Sequence, residues 1–330
     1  MKKYAVGVDI GGTNTDVGLV DTEGNIVCRG SIPTTRYTTF EPYIADLVAL
    51  TLQLKAELEQ SHQEEAVLTG FGIGAPNANF NTGCVVDAPN LPFKGVLDFN
   101  KEIGKHLALP VVLDNDANAA AYGEYIYGGA KGKRHFIVFT LGTGVGSGIV
   151  VDGRIVHGIT GAAGELGHVT LIPKGRTCGC GRRGCLEAYA SARGIVRTYL
   201  DLRRGSTQGE SMLASLPDGD ISCQAVGDAA RLGDPLALQT WAMTAEWLGM
   251  AMANAVAFSS PEAIFLTGGP SRVGDPLMAP LRRAFESHLL FCYRSTCTIS
   301  PSSLPSGDAA VLGAASLVQH GSGGGLNLRD

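Results

Sequence analysis

One histidine and three cysteines lie within eighteen residues of one another near the middle of the sequence. They are His168, Cys178, Cys180 and Cys185. One imidazole and three thiols form the ligand set of a closed, four-coordinate structural zinc site. The spacing therefore predicts that these four side chains bind Zn²⁺.

Two other interpretations of these cysteines stay open: a disulfide, or thiols that act as small buried hydrophobic groups. The run Cys178-Gly179-Cys180-Gly181 favours a metal, because it offers little to a core and glycine lets a backbone wrap around an ion. The remaining cysteines are scattered and form no second ligand group: Cys28, Cys84, Cys223, Cys292 and Cys297.

Two carboxylates flank the cysteine-rich segment. Glu165 precedes His168 by three residues, and Glu187 follows Cys185 by two. A metal that holds this segment in place also holds these acids in place. We therefore expect Glu165 and Glu187 to face a polar ligand.

The composition is that of a globular protein. The chain has 330 residues, 45% of them hydrophobic and 17% charged, which suggests one large or two medium domains. The net charge of −5 argues against a nucleic-acid-binding surface. We expect no signal peptide and no membrane span, and thiols that must stay reduced favour the cytoplasm. Residues 321–330 include four glycines and are predicted to form a flexible tail.

A pattern of strand, glycine turn, strand, turn and strand occurs twice. The first copy runs from Tyr4 to Arg29, and the second from Phe136 to His157. Two similar α/β halves are therefore expected. Helical spacing predicts helices over 41–60, 117–127, 236–258 and 308–319. We predict an N-terminal domain over 1–118, joined by a closing helix over 308–320, and a larger C-terminal domain over 119–307 that carries the zinc site.

Both glycine turns connect a strand to a strand. This argues against a dinucleotide-binding fold or a P-loop, in which a helix follows the glycines directly. Plain hairpin turns are the alternative for either turn alone. Both turns offer hydrogen-bond donors that suit phosphate. They are the backbone N–H groups around Gly11-Gly12 and Gly142–Gly146 and the hydroxyls of Thr13, Thr140 and Thr143. Asp9, at the end of its strand, is placed to hold Mg²⁺ through water. Together the turns predict binding of a nucleoside triphosphate between the two halves.

An acid lies where a predicted strand passes into a helix, in the run Asp114-Asn115-Asp116-Ala117-Asn118. Asp and Asn are common helix caps, and this interpretation stays open for Asp114 and Asn118. For Asp116 we predict catalysis, because the helix dipole should keep it ionised and phosphoryl transfer uses an aspartate to accept a hydroxyl proton. Asn115 suits a sugar hydroxyl.

The chain resembles the ROK family of repressors and sugar kinases over roughly residues 4 to 320. The resemblance rests on these motifs: Asp9-Ile10-Gly11-Gly12-Thr13, Gly74-Ala75-Pro76, Ala88-Pro89-Asn90-Leu91, Asn115-Asp116-Ala117-Asn118, Leu141–Gly146, Gly164–His168 and the Cys-Gly-Cys-Gly…Gly-Cys-Leu-Glu run. It implies the actin/hexokinase-like (ribonuclease H-like) α/β fold, with two α/β domains around a central cleft that closes over ATP and sugar.

The resemblance also implies roles for individual residues. Asp116 is the expected base, and His168 is expected to use one ring nitrogen for zinc and the other for sugar. The expected sugar contacts are Asn90, Asn115, Asp116, Glu165, His168 and Glu187. The expected nucleotide and Mg²⁺ contacts are Asp9, Gly11, Gly12, Thr13, Thr140, Gly142, Thr143, Gly144, Gly268 and Gly269. A homodimer is implied as well, and no DNA-binding domain is expected because the phosphate motif begins at Asp9.

The expected reaction is transfer of phosphate from ATP to the 6-hydroxyl of an aldohexose, with glucose as the expected substrate. The cysteine spacing resembles that of glucokinases and N-acylmannosamine kinases of the family and differs from that of its fructokinases. Many members have glycine directly after the motif Gly74-Ala75-Pro76, whereas this chain continues with Asn77-Ala78-Asn79-Phe80. The alternatives are a kinase of N-acetylmannosamine, N-acetylglucosamine, fructose or allose, and a non-catalytic sugar-binding regulator.

Overall fold

A computed structural model describes residues 1–206, 211–305 and 307–320 of the chain. The predicted flexible tail over 321–330 lies outside the described residues. Among the helices that are described, none is both long enough and apolar enough to cross a lipid bilayer.

The chain up to residue 134 forms strands and helices in the following order: β1 (Lys2–Ile10), β2 (Asn14–Val20), β3 (Ile26–Pro33), α1 (Phe40–His62), β4 (Ala66–Ala75), β5 (Ala78–Asn79), β6 (Cys84–Val86), β7 (Val96–Asp98), α2 (Phe99–Gly104), β8 (Val111–Asn115) and α3 (Asp116–Ile126). The elements that follow are β9 (Phe136–Leu141), β10 (Val145–Val151), β11 (Arg154–Ile155), α4 (Glu187–Ala190), α5 (Ala192–Gly205), α6 (Cys223–Arg231), α7 (Pro235–Ser259), β12 (Ala263–Thr267), α8 (Asp275–His288), β13 (Thr298–Pro301) and α9 (Ala309–His320).

Two five-stranded sheets repeat one topology. The first has the order β3-β2-β1-β4-β8, with β1 antiparallel to β2 and parallel to β4. The second has the order β11-β10-β9-β12-β13, with β12 parallel to both β9 and β13. Each sheet therefore begins as a three-stranded meander and adds two later strands beside its first strand. This confirms the predicted duplication. A small sheet, β5-β6-β7, was not predicted, because its strands are only two or three residues long.

Contacts between Cα atoms divide the chain into two compact units. The first unit contains Met1–Arg134, Gly148–Ala163 and the chain from Ser303 onward. The second unit contains His135–Ser147 and Gly164–Ser302. The first unit retains α3 because α3 packs against α9. The predicted domain boundary after residue 118 therefore differs from the division by contacts, and the assignment of domains at that residue stays a prediction.

The closing helix α9 lies against the first sheet, as predicted for the helix over 308–320. Its approach is close because β4 has glycine where the helix crosses. A Cβ atom on Gly72 would lie 1.9 Å from the carbonyl oxygen of Ala314. Val311, Leu312 and Ala315 of this helix are buried in one hydrophobic cluster with Ala5 and Val20. The helix α9 is therefore packed against β1 and β4 of the first sheet.

Predicted element positions agree with the structure for the long segments. The predicted helix over 41–60 is α1, and that over 236–258 is α7. The last strand of the second predicted copy, over 154–157, is too long, because pairing with β10 ends at Ile155. His157 therefore lies in a loop beyond the sheet.

Candidate active site

Strand pairing brings the predicted acids of the first unit to one edge of its sheet. Asp9 lies opposite Gly74 of β4, and Gly74 lies opposite Asp114 of β8. The strand β8 ends one residue later at Asn115, and α3 begins at Asp116. Parallel strands thus carry Asp9 and Asp116 to neighbouring positions, with a glycine between them that adds no side chain.

Asp116 begins α3, and the side chain of Asn115 caps that helix. The N–H of Ala117 donates to Asn115 Oδ1 at 2.9 Å and to Asp116 Oδ1 at 2.8 Å. The Asp116 carboxylate reaches solvent but is surrounded by protein on most sides, and this desolvation raises its pKa. Backbone N–H groups at the helix start act to lower this pKa, but desolvation outweighs them. That Asp116 is ionised stays a prediction.

Asp9 lies in a region of excess negative charge. Burial, with repulsion from Asp116 and Asp16, raises the pKa of Asp9 to about 7. A divalent cation offsets such repulsion, and carboxylate oxygens are the ligands that Mg²⁺ prefers. The donor set at this edge therefore fits a Mg²⁺ ion held by Asp9.

The first glycine turn lies directly against the segment that carries Asn90. The N–H of Gly11 donates to the carbonyl of Asn14 at 2.9 Å and closes the turn. A Cβ atom on Gly12 would lie 2.7 Å from the carbonyl oxygen of Asn90. The structure thus brings Asn90 beside Gly12, while Thr13 next to it is exposed and can reach a ligand.

The second glycine turn is also closed by a backbone hydrogen bond. The N–H of Gly142 donates to the carbonyl of Gly144 at 3.0 Å. Gly268 has φ +95°, and a Cβ atom there would lie 2.0 Å from the carbonyl oxygen of Leu141, so this close approach needs glycine. The glycines Gly268 and Gly269, which follow β12, therefore lie beside the glycine turn that follows β9. The predicted nucleotide residues that meet here are Thr140, Gly142, Thr143, Gly144, Gly268 and Gly269.

Glu187 connects the second glycine turn to the cysteine-rich segment. Its Oε2 accepts a hydrogen bond from the N–H of Val145 at 3.1 Å. Its Oε1 lies 3.4 Å from the Sγ atom of Cys178. One carboxylate therefore contacts both the turn and a predicted metal ligand, a link that the sequence did not reveal.

The predicted metal ligands come together. The ligand atoms of His168, Cys178, Cys180 and Cys185 all lie within 4.8 Å of one another. Zinc–sulfur bonds of about 2.3 Å at tetrahedral angles separate ligand atoms by roughly 3.5–3.8 Å. Cys180 Sγ lies 3.7 Å from Cys185 Sγ, and Cys178 Sγ lies 3.6 Å from His168 Nδ1. These separations fit tetrahedral coordination, and the sulfur separation exceeds a disulfide bond of about 2.05 Å.

Glycines shape the loop that gathers these ligands. Gly184 has φ +80°, and a Cβ atom there would lie 1.8 Å from the carbonyl oxygen of Ile172. Gly181 also has a positive φ, +85°, and its N–H donates to the carbonyl of Cys178 at 3.0 Å. Only glycine adopts such conformations without strain. The segment can therefore fold back on itself and bring ligands from both ends to one point.

The two ring nitrogens of His168 have different surroundings. Nδ1 faces the cysteines, while Nε2 lies 4.0 Å from Glu165 Oε2. The Glu165 side chain is 57% exposed. The imidazole therefore presents one nitrogen to the cluster and the other beside a solvent-accessible carboxylate. The double role of His168 stays a prediction.

The sequence model of the ROK family matches residues 5–321 of the chain. The chain belongs to the ROK family. The match spans both units, all four clustered ligands and both glycine turns. The resemblance inferred from the motifs is thereby confirmed.

Relatives within the ROK family share most of their length with this chain. A glucokinase of Halalkalibacterium halodurans is 38% identical over 296 residues, which are 87% of each chain. A glucokinase of Thermotoga maritima is 36% identical over 98% of this chain and 99% of its own. The crystal structure of a ROK family glucokinase from Streptomyces griseus in complex with glucose and AMPPNP has a TM-score of 0.79 and 33% identity, and it covers 96% of this chain and 99% of its own. These similarities confirm the actin/hexokinase-like fold.

A groove lies along α5 in the second unit, and the motifs of the ROK family did not predict it. The groove has a volume of about 610 Å³ and is lined by Ala192, Arg193, Val196, Arg197, Leu200, Asp201, Arg204, Ile221 and Cys223. It begins beside the second glycine turn, because the N–H of Ala192 donates to the carbonyl of Gly142 at 2.9 Å. Its lining residues come from α5 and from the segment over 221–223, which ends at the first residue of α6, so no short sequence spacing predicts it.

Proposed function

We propose that this protein is an ATP-dependent hexose kinase that phosphorylates the 6-hydroxyl of glucose. The observation that carries the proposal is the placement of Asp116. Its carboxylate lies at a strand–helix junction beside Asp9 and is accessible to solvent, where it can accept a proton from a hydroxyl group. The glucokinases among the relatives supply the substrate class.

Asp116 is the proposed general base. As the 6-oxygen of the sugar forms its bond to the γ-phosphorus, the hydroxyl proton passes to the Asp116 carboxylate and the bond from phosphorus to the ADP oxygen breaks. Asn115 lies beside Asp116 and is proposed to bind a sugar hydroxyl. Its Oδ1 already accepts the N–H of Ala117, so its amide N–H groups are the donors for the sugar.

The glycine turns are the proposed phosphate sites. Backbone N–H groups in such turns bind anions without bringing a charge of their own. Mg²⁺ held near Asp9 would neutralise phosphate charge. The groove along α5 begins at the second turn, and its volume suits the nucleoside part of ATP. We propose that its aliphatic side chains contact the base.

Zinc is the proposed occupant of the cysteine cluster, in a structural role. His168, Cys178, Cys180 and Cys185 would hold it, and it would fix the loops that carry Glu165 and Glu187. Both acids and His168 are proposed to bind sugar hydroxyls away from the reacting group. Asn90, beside the first glycine turn, is proposed as a further sugar contact. A cytoplasmic location and a homodimer stay predictions.

The test is a measurement of ADP release with Mg·ATP across a panel of sugars. The panel is glucose, mannose, fructose, allose, N-acetylglucosamine and N-acetylmannosamine. We expect selective turnover of glucose, because the structural relative from Streptomyces griseus is in complex with glucose and its chain is 33% identical.

Other outcomes of the panel have distinct meanings. Selective turnover of an acetylated sugar or of fructose would keep the mechanism and replace the substrate. Binding of sugar without turnover of any member would favour a sugar-binding regulator instead. Product analysis would show whether phosphate is on the 6-hydroxyl.

A further inference from the structure

The carboxylate of Asp114 is fully buried immediately before the proposed base. It is 0% exposed and accepts three hydrogen bonds. The donors are the N–H of Asn115 at 2.7 Å, the side-chain amide of Asn118 at 2.9 Å and the Nε2 of His157 at 2.7 Å. Two of these donors flank Asp116 in sequence. The Asp114 carboxylate is therefore hydrogen-bonded both to the residue before α3 and to a residue of its first turn.

His157 is the one donor to Asp114 that comes from a distant part of the first unit. It lies in the loop beyond β11, and its side chain is 13% exposed. Because the Asp114 carboxylate accepts at Oδ2, Nε2 of His157 carries the proton. A buried carboxylate that loses such a donor keeps an unsatisfied charge, which is costly.

The ring of His157 also contacts the segment over 79–81, which follows the departure from the family pattern at Asn77. The imidazole stacks on Phe80 with ring centroids 4.4 Å apart and planes 10° from parallel. Two amides fasten the same segment to the loop of His157. Asn79 Nδ2 donates to the carbonyl of Thr160 at 2.6 Å, and Asn81 Nδ2 donates to that of Gly158 at 3.2 Å.

We infer that His157 is a positioning residue with two separable roles. Through Nε2 it holds Asp114, and thereby the start of α3 with Asp116. Through its ring face it holds Phe80, and thereby the segment over 79–81. The first role affects the chemical step. The second affects sugar binding, because β5, which includes Asn79, packs against β8, which ends at the proposed sugar contact Asn115. The inference rests on the proposed function, because Asp116 is assigned as base there.

Two substitutions at one position separate the roles. Gln places an amide nitrogen where Nε2 lies, so His157→Gln keeps a donor for Asp114 and loses the stacked ring. His157→Phe keeps a ring against Phe80 and removes the donor. His106→Phe, at an exposed position of the same unit, is the matched control.

The variants are assayed as full chains for kcat and for the KM of the sugar, with the thermal midpoint of each recorded. We expect His157→Phe to lower kcat by about tenfold to a hundredfold with little change in KM, because a small displacement of a catalytic group costs that much. We expect His157→Gln to keep kcat and to raise the KM of the sugar by about two- to tenfold, as the loss of an aromatic contact does. Phe80→Leu should repeat the effect of Gln.

Equal changes in kcat and KM in both variants, or no change in either, would overturn the inference. A second measurement does not depend on turnover. Nitrogen NMR of the wild type should show His157 protonated at Nε2, and Asp114→Asn should alter that signal. A wild type that turns over no sugar refutes the proposed function alone, whereas an unprotonated Nε2 in an active wild type refutes the inference alone.

Discussion

The two glycine turns share a topology but differ in what supports them. In the first unit, Gly12 lies against the backbone carbonyl of Asn90. In the second, a Cβ atom on Gly144 would lie 2.5 Å from Glu187 Oε2, and this carboxylate also accepts the N–H of Val145. Backbone supports one turn, and a side chain supports the other.

This difference extends to the proposed active-site residues of each unit. Asp9 and Asp116 lie at the ends of regular elements, where strand pairing and a helix cap place them. Glu187 and Glu165 lie on either side of a loop that gathers the four proposed metal ligands. Packing within the first unit therefore places its acids, while the proposed zinc site is expected to place those of the second unit.

The largest effect is expected from Asp116→Asn. This substitution removes the proposed base of the first unit and keeps the shape of the side chain. The amide oxygen of Asn can still accept the N–H of Ala117, so the fold should persist. Because a general base contributes about 10²–10⁴-fold, kcat should fall by roughly that factor. Sugar affinity, measured by calorimetry, should change little.

The same variant sharpens the comparison of the two units. Its metal content should equal that of the wild type, since the second unit is untouched. Turnover close to the wild-type rate would refute the assignment of Asp116 as base. Lost sugar affinity with normal folding would show that Asp116 acts mainly in binding.

The next effect concerns the metal, on which only the second unit is expected to depend. Metal analysis should find about one zinc per chain. Cys180→Ser should lower metal affinity by at least about tenfold, lower the thermal midpoint and raise the KM of the sugar, because Glu187 and Glu165 lose their support. Cys292→Ser is the matched control, since Cys292 is also an exposed free cysteine. A folded, active and metal-free wild type would contradict this prediction.

These predictions rest on features that the sequence revealed to different degrees. The glycine turns, the position of Asp116 at a helix start and the clustering of His168 with three cysteines were predictable because each is a short run or a fixed spacing. Duplication of the sheets was predictable because strand periodicity repeats. The bond from His157 to Asp114 and the link through Glu187 were not, because they join segments 43 and 42 residues apart through side-chain geometry. The raised pKa of Asp116 was also missed, since desolvation depends on the folded surroundings.

A smaller effect is expected in the pH dependence of kcat. Asp116 accepts a proton only when it is ionised, so kcat should fall as pH falls through its pKa, by about tenfold per pH unit below it. Burial raises that pKa, so the acid limb should lie above the ordinary aspartate value of about 3.9.

Asp9, with a pKa raised to about 7, can produce a similar limb, and Mg²⁺ distinguishes the two acids. Higher Mg²⁺ concentration should displace protons from Asp9 and leave Asp116 less affected. The profile is therefore recorded at low and at saturating Mg²⁺. A limb near pH 4 under both conditions would contradict the raised pKa of Asp116.

The smallest effects test the supports of the two turns directly. Gly12→Ala places a Cβ atom 2.7 Å from a backbone oxygen, so the chain must shift, at a cost of about 1–3 kcal/mol. In Gly144→Ala the new Cβ atom meets the end of the Glu187 side chain, which can move away. We therefore expect Gly144→Ala to raise the KM of ATP less than Gly12→Ala does. The substitution Glu187→Asp shortens the acidic side chain and should relieve this contact. Gly144→Ala should therefore cost less in the background of Glu187→Asp than alone, while Gly12→Ala should cost the same in both backgrounds. Additive effects for both glycines would show that Glu187 does not support the second turn.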